Sequence, residues 1–300
     1  MIKRTLYFGN PAYLSTKAEQ LIVQFPDDQK PLAKVPIEDI GVIVLDHYRL
    51  TLTHGLVGKL LSNNVAMITC DEKHLPQGLM LNLTGNNVQT QRFKAQIEAG
   101  EALKKKLWQQ TVKAKIMNQA SLLQQQGIAT ENMMYWAGKV KSGDPENYEG
   151  RAAAYYWKHL FESEIDDFTR GRFDAEPNNL LNYGYAVLRA IIARSLVGSG
   201  MLPTLGIHHS NKYNAYCLAD DIMEPYRPFV DRMVLYMIRN KEDIYQLDKS
   251  MKAELLQLPV QDVSINGNTS PLMIASQYTA SSLSQCFGDN TRKIRYPSFE

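Results

Sequence analysis

Cysteine is scarce in this chain. Cys70, Cys217 and Cys286 are the whole complement in 300 residues, odd in number and without a CxxC spacing. A disulfide framework and a structural zinc site are both disfavoured, and a reducing, cytoplasmic setting is expected. Charge of one sign is lacking too: 33 basic against 31 acidic residues leave 33 − 31 = +2, too mild a total to announce a polyanionic partner. Any electrostatic footprint must therefore be local. No charge-free window long enough to cross a membrane is predominantly apolar, and the start, MIKRTLYFGN, lacks an apolar stretch before a small-residue cleavage site. Neither a membrane span nor an export signal is expected. No internal repeat or low-complexity tract is visible.

What is present is ordinary globular material, 44% apolar and 21% charged. This excludes a disordered, collagen-like or coiled-coil chain and predicts a substantial core. A length of 300 residues suggests two modest domains. Residues 1–90 carry short β-branched and aromatic runs between turns and predict a meander of strands, with Gly41–Leu45 and Val65–Cys70 as apolar strands. HGLVGKLLSNN between them reads as a short crossover helix ending at Asn63 and Asn64. Eight basic and eight acidic residues balance over this part, which reads as a β-rich scaffold or dimerisation domain.

From residue 91 the apolar period changes from two to between three and four, so residues 91–300 read as a helical domain. The run from Gln91 predicts helix up to a stop at Gly127. Over residues 92–115, Arg92, Lys94, Lys104, Lys105, Lys106, Lys113 and Lys115 face only Glu98 and Glu101, a local 7 − 2 = +5. That is a solvated helix face or a nucleic-acid track. Further helices are predicted over GRAAAYYWKHLFESEIDDF, LLNYGYAVLRAIIARSLVGSG and RPFVDRMVLYMIRN. Tyr156 and Trp157 read as core, and the segment after Gly288, with Arg292, Lys293 and Arg295, as a mobile basic end.

Three places carry unusual residue choices. In Asn147-Tyr148-Glu149-Gly150-Arg151, Asn147 can cap a helix and Glu149 can face its exposed N–H groups. His208 and His209 follow a strongly apolar helix. Asp220, Asp221 and Glu224 come soon after, as like charges at helical spacing that repel unless a cation or arginine sits among them. Pro225 in that run either breaks the helix or starts a new one. An imidazole and two carboxylates make a hard divalent site suited to Mg²⁺ or Mn²⁺, with zinc less suited. Such an ion supports phosphodiester chemistry.

The segments LWQQTVKAKIMNQASLL, NYEGRAAAYYW, LNYGYAVLRAIIARSLVGSGMLPTLGIHH and NAYCLADDIMEPYRPFVD resemble successive signatures of the CRISPR-associated adaptation integrase family. VPIEDIGVIVLD and VAMITCDEKHLPQGLM are similar to its N-terminal part. The likeness runs over nearly the whole chain and is strongest to the type II branch. It implies an α+β fold with an N-terminal β-sandwich-like domain (1–90) and a C-terminal all-α catalytic domain (91–300). It further implies a metal-dependent DNA endonuclease and integrase of antiviral defence that inserts spacers into the CRISPR array by 3′-hydroxyl transesterification. Carried over by motif, Glu149, His209 and Glu224 are the catalytic metal ligands for Mg²⁺ or Mn²⁺. Asp221 or His208 would replace or assist one of them. Arg151, Lys212, Arg227 and Lys104–Lys106 are candidate DNA contacts, with Arg151 alternatively a partner for Glu149. The implied partners are double-stranded DNA (prespacer and repeat), a second copy of the chain in a homodimer, a small ferredoxin-like CRISPR protein completing a heterohexamer, and other type II CRISPR proteins; no membrane is implied. Two rival readings remain at this level: a plain metal-dependent nuclease, and a DNA-binding scaffold whose acidic cluster meets Arg227.

Overall fold

The N-terminal strands sort into two four-stranded sheets. The structure, a computed structural model, describes residues 3–26, 31–171, 176–240, 247–289 and 292–299. One sheet has the order β1 (Arg4–Phe8), β5 (Ile40–Leu45), β7 (Ala66–Cys70), β8 (Pro76–Met80). The other has the order β4 (Ala33–Pro36), β3 (Gln20–Gln24), β2 (Ala12–Lys17), β6 (Leu50–Leu52). This differs from a meander: β1 with β5, β5 with β7 and β2 with β6 pair in parallel. The chain alternates between sheets, so strands adjacent in sequence often fall in different layers. Parallel neighbours need a crossover, and α1 (His54–Ser62) supplies the one into β7. It starts on Thr53, whose hydroxyl accepts from Leu56 N, and stops at Asn63, followed by Asn64 at φ 55°.

The alternation of β5 and β7 explains their unbroken apolar runs. Ile43 and Met67 join the core between the sheets with Leu14, Leu21, Leu56 and Leu60. Val42, Val44, Ala66 and Ile68 face the other way, into the core of the helices. A strand buried on both faces has no polar side to show.

The helices are α2 (Gln89–Ile97), α3 (Glu101–Gln125), α4 (Glu131–Lys139), α5 (Tyr148–Leu160), α6 (Asn178–Gly198), α7 (Cys217–Met223), α8 (Arg227–Asn240), α9 (Lys249–Leu255) and α10 (Leu272–Gly288). The single helix expected before Gly127 is two, because the chain turns at Gly100 and the Gln96 amide ties α2 to Leu202 and Leu205 carbonyls. Gly127, at φ 77°, ends α3 as read. α6 is apolar enough by length and composition to cross a membrane, but 78% of that window lies inside the protein. α7, α8, α9 and α10 pack around it, and it is buried on nearly every side.

Two expectations for this half fail. It is not all-α: β9 (Asp262–Ile265) and β10 (Asn268–Pro271) form an antiparallel hairpin. Its tip is Asn266-Gly267, with φ of 56° and 75°, the Asn-Gly pair that a tight hairpin turn favours. The basic end is not loose in its described residues 292–299. Ile294 N donates to Gln110, Tyr296 hydroxyl meets Thr111 on α3, and Phe299 stacks on Phe229 at 4.3 Å. Three apolar or aromatic residues between the charges bury what the basic count hid.

A buried ion pair ties the sheets to the helices. Asp46, just after β5, accepts from Lys252 Nζ of α9 at 2.7 Å and from the Tyr7 hydroxyl at 2.6 Å, and it meets His74 Nδ1 at 2.8 Å. Burial pushes its carboxyl up, yet the bonds from Lys252, Tyr7 and His74 outweigh burial and hold it below the usual value. Removing one partner of such a pair strands the other charge and costs about 3–5 kcal/mol. Asp46→Asn is therefore expected to lower thermal stability strongly at neutral pH. A depressed carboxyl contributes above its unfolded value of 3.8 and loses that contribution as pH falls through the folded one. The gap between wild type and Asp46→Asn in calorimetric melting should shrink below about pH 4; a gap constant from pH 7 to pH 3 would refute the linkage.

Candidate active site

Glu149 does not act as the cap of its helix. Asn147, left-handed at φ 53°, caps α5 through its side chain, which accepts from Gly150 N at 3.1 Å. The Asp144 carboxylate takes the next amides, Tyr148 N at 3.0 Å and Glu149 N at 2.9 Å. With those donors satisfied, the Glu149 carboxylate is released toward α3, where Lys115 Nζ donates to it at 2.7 Å. The same ammonium lies 2.6 Å from Glu224 Oε2. Two carboxylates far apart in sequence thus meet at one cation.

The acidic run resolves its own repulsion by sending each carboxylate in a different direction. α7 ends at Met223, Glu224–Tyr226 form a single 3-10 turn containing Pro225, and α8 begins at Arg227. Pro225 thus sits in the first turn of a new helical segment, the second of the two expected outcomes. Asp220 accepts from Arg189 Nε at 2.6 Å and Asn214 Nδ2 at 2.7 Å. Glu224 accepts from Arg227 Nε at 2.8 Å as well as meeting Lys115. Burial pushes the Glu224 carboxyl up, but Arg227 and Lys115 outweigh it and bring it down to about 2. Burial likewise pulls the Lys115 ammonium down, and Glu224 with Glu149 outweighs that and raises it. Glu224 and Lys115 each keep their charge in a buried place because opposite charges lie against them.

Asp221, fully buried, builds the histidine loop. Its oxygens accept from the backbone N–H of Ile207 (2.7 Å), His208 (2.9 Å) and His209 (3.2 Å), and they meet His209 Nδ1 at 2.5 Å. A carboxylate has about four lone-pair directions, and these four bonds use them. Gly206 lets the loop fold this tightly: a Cβ there would lie 2.2 Å from the His209 carbonyl oxygen and 2.8 Å from Asp221 Oδ2. The Asp221 bond raises the His209 pKa against burial, with Glu224 and Glu149 adding in the same direction. Nδ1 is engaged, so Nε2 is the nitrogen left to present. His208 instead lies flat on Trp108 of α3, ring centroids 4.1 Å apart, while His209 stands edge-on to the same indole at 5.7 Å.

The structure thus brings Glu149 and Glu224 together, places His209 within electrostatic reach of both, and gives Asp221 and His208 supporting positions. Arg151 does not pair with Glu149; it lies over the Tyr148 ring at 5.2 Å. Arg227 is bound to Glu224 and stacked on Tyr185 at 4.4 Å. Lys212 is exposed above Tyr213. Lys104 meets Glu101 at 3.2 Å, while Lys105 and Lys106 are exposed near the start of α3. Lys115 leaves the basic track altogether, and Arg92 turns inward to the Ser284 carbonyl. Sequence reasoning missed Trp108, Lys115, Asn118 and Asp144 as parts of the site. Trp108 and Lys115 are seven residues apart, two helical turns on one face, a signal that was readable but not decisive.

The donor set fits a hard divalent ion in kind: two carboxylates already converge on a positive charge, beside an imidazole oriented by a buried carboxylate. Among the described residues, no three histidine, cysteine, aspartate or glutamate side chains stand close enough to hold an ion as they are. The reason is visible in Lys115, whose ammonium fills the meeting point.

Comparison with known proteins identifies the family. The family described as "CRISPR associated protein Cas1" matches residues 6–256. A "CRISPR-associated endonuclease Cas1" of Neisseria meningitidis serogroup C is 34% identical over 300 residues, 99% of this chain and 96% of that protein. One from Francisella tularensis subsp. novicida is 24% identical over 266 residues, 81% of each chain. In fold, the chain is similar to a "Casposase bound to integration product", TM-score 0.78 at 20% identity, covering 98% of this chain and 92% of that one. It is similar also to a Cas1 protein from Thermotoga maritima, TM-score 0.77 at 14% identity, covering 95% and 97%. A sequence match of this extent, over both the sheets and the helices that build the site, means that the chain belongs to the Cas1 family.

Proposed function

We propose that this chain is a divalent-metal-dependent DNA endonuclease and integrase of CRISPR adaptation. The observation that carries the reading is the convergence of Glu149 and Glu224 on one cationic point beside His209. The Neisseria relative named an endonuclease and the structural neighbour titled a casposase with its integration product support the reaction class. Residues 91–300 form the catalytic unit and residues 1–90 the scaffold through which two copies pair.

In this reading Glu149, His209 and Glu224 hold Mg²⁺ or Mn²⁺. The bound ion supplies Lewis acidity at a phosphoryl oxygen. The 3′-hydroxyl oxygen of a short DNA fragment bonds to phosphorus at a repeat boundary as the bond to the target strand's 3′-oxygen breaks, and the hydroxyl proton ends on that leaving oxygen. Asp221 fixes the ring and tautomer of His209, and Arg227 holds Glu224 and offers its remaining N–H groups to phosphate. Arg151, Lys212 and Lys104–Lys106 line the DNA path. Solved neighbours titled "Cas6-RT-Cas1--Cas2 complex" and "Crystal structure of TtCas1-DNA complex" support DNA and a second CRISPR protein as partners; in this reading that protein is small and ferredoxin-like and bridges two dimers in a heterohexamer.

The decisive experiment offers the purified chain, with and without the small partner, a short duplex with free 3′-hydroxyls and a plasmid bearing a CRISPR repeat, in Mn²⁺ or EDTA. Covalent joining in Mn²⁺ is expected, with Glu149→Ala, His209→Ala and Glu224→Ala each reducing it by about 100-fold or more at retained fold. Cleavage without joining would make the chain a plain nuclease. Binding indifferent to metal and to all three substitutions would make it a scaffold, the role in which Arg227 and Lys115 merely neutralise buried acids.

The DNA path is tested separately by salt. Each phosphate neutralised contributes about 0.9 to the slope of log affinity against log salt. Alanines at Lys104, Lys105 and Lys106 are expected to weaken binding to all sequences alike and to flatten that slope. An unchanged slope removes the start of α3 from the path.

A further inference from the structure

Lys115 sits where the reading above needs an ion to sit. Its ammonium lies 2.7 Å from Glu149 Oε1 and 2.6 Å from Glu224 Oε2, and its side chain is only 11% exposed. Arg227 completes the set at 2.8 Å from the other oxygen of Glu224. Two carboxylates against two cations is a balanced cluster, which lets it be buried without a net charge. A divalent ion added to that cluster breaks the balance. Lys115 and the ion then compete for the same oxygens, and the excess positive charge is relieved only by an anion.

Resting on the metal-dependent reading, the geometry points to Lys115 as a resident countercation that competes with the divalent ion for Glu149 and Glu224 and is drawn away by a DNA phosphate. A lysine suits this role better than arginine would. Its ammonium is a compact point charge on a flexible stem, able to swing between carboxylate and phosphate oxygens, where a planar guanidinium locks onto one carboxylate. The position on α3 provides a fixed pivot: Trp108 and Thr111 on the same helix are buried, and Asn118 Nδ2 holds the Pro225 carbonyl beside Glu224 at 2.7 Å. The site would thus bind its ion weakly while idle and firmly once DNA is present, linking the two binding events in both directions. The lysine stays charged throughout; what changes is its partner.

The test is Mn²⁺ affinity of the full chain, measured by titration of free Mn²⁺ in electron paramagnetic resonance, with and without a short duplex carrying free 3′-hydroxyls. Variants are Lys115→Met and Lys115→Gln, the latter keeping hydrogen-bond donors for both glutamates should the former fail to fold, with Glu149→Gln/Glu224→Gln as the ion-site control. Without DNA, both lysine variants are expected to bind Mn²⁺ on the order of tenfold tighter than wild type, the scale of one charge removed at close range in a partly buried site. Duplex should tighten Mn²⁺ binding by wild type and leave the lysine variants nearly unchanged, while their joining activity falls. Unchanged or weaker Mn²⁺ binding in the variants, with wild type binding through the two glutamates, overturns the role of Lys115 alone. Wild-type binding no better than that of the double glutamine control overturns the metal site and the countercation together.

Discussion

A single buried ammonium organises the helical half of the chain. Glu149 lies in the first turn of α5 and Glu224 in the turn between α7 and α8, and both reach Lys115 on α3. Taking such charges out of water costs several kcal/mol per ion unless each finds an opposite charge with good geometry. Three elements from distant parts of the sequence are therefore held in one arrangement, because any other strands a charge. α3 carries the rest of the frame: Asn118 binds the Pro225 and Pro297 carbonyls, and Thr111 meets Tyr296. One helix thus anchors the histidine rings, both glutamates and the segment around Tyr296 and Pro297, which explains why Thr111 and Asn118 sit among the apolar residues of its interior face.

The same rule recurs at a second buried carboxylate and is marked by its exception at a third. Asp46 is met by Lys252, Tyr7 and His74 at the junction of sheets and helices. Asp231 accepts directly, among the described residues, only from the hydroxyls of Tyr156 and Tyr185, with the Arg227 and Arg170 charges acting from farther off, and there burial wins, pushing its carboxyl up to about 6. The contrast is instructive. Cations in contact lie at Asp46 and Glu224, and both carboxyls are held down, while hydroxyl contacts, with guanidinium groups only at a distance, do not overcome desolvation at Asp231.

Legibility followed the range of the physics. Caps and stops are local, so Asn147, Asn63 and Gly127 were readable, as was the crossover helix from its apolar period. The parallel pairing was not, because alternation between two sheets leaves no trace in the turns. The β9–β10 hairpin had its Asn-Gly signal on the page, and helical surroundings drowned it. At the site, the unusual run Asp220–Glu224 announced a functional place by breaking local rules. The lysine that meets Glu224 lies more than a hundred positions upstream, in a stretch that reads as a solvated basic face or a nucleic-acid track. The seven-residue spacing from Trp108 sets Lys115 apart from Lys113 by helix face, but only tertiary packing shows which acids it meets.

That reassignment changes what the net charge means. The local excess in residues 92–115 overstates the basic surface, since Lys115 and Arg92 turn inward and Lys94 and Lys104 each face a nearby glutamate. The remaining exposed lysines are few, and that is sufficient if the site supplies the rest. Exposure rises outward from its base, with side chains at 0% for Asp221, 8% for Glu224, 24% for Glu149 and 49% for His209. The groups that set geometry are sealed and the groups that would meet DNA are open. A polyanion approaching such a surface meets a rigid, charge-balanced cluster whose outermost member is an oriented imidazole. Specific contact then depends on exchanging partners within the cluster, and hardly on a broad positive field, so a chain with a formal charge of only +2 can still be built to act on nucleic acid.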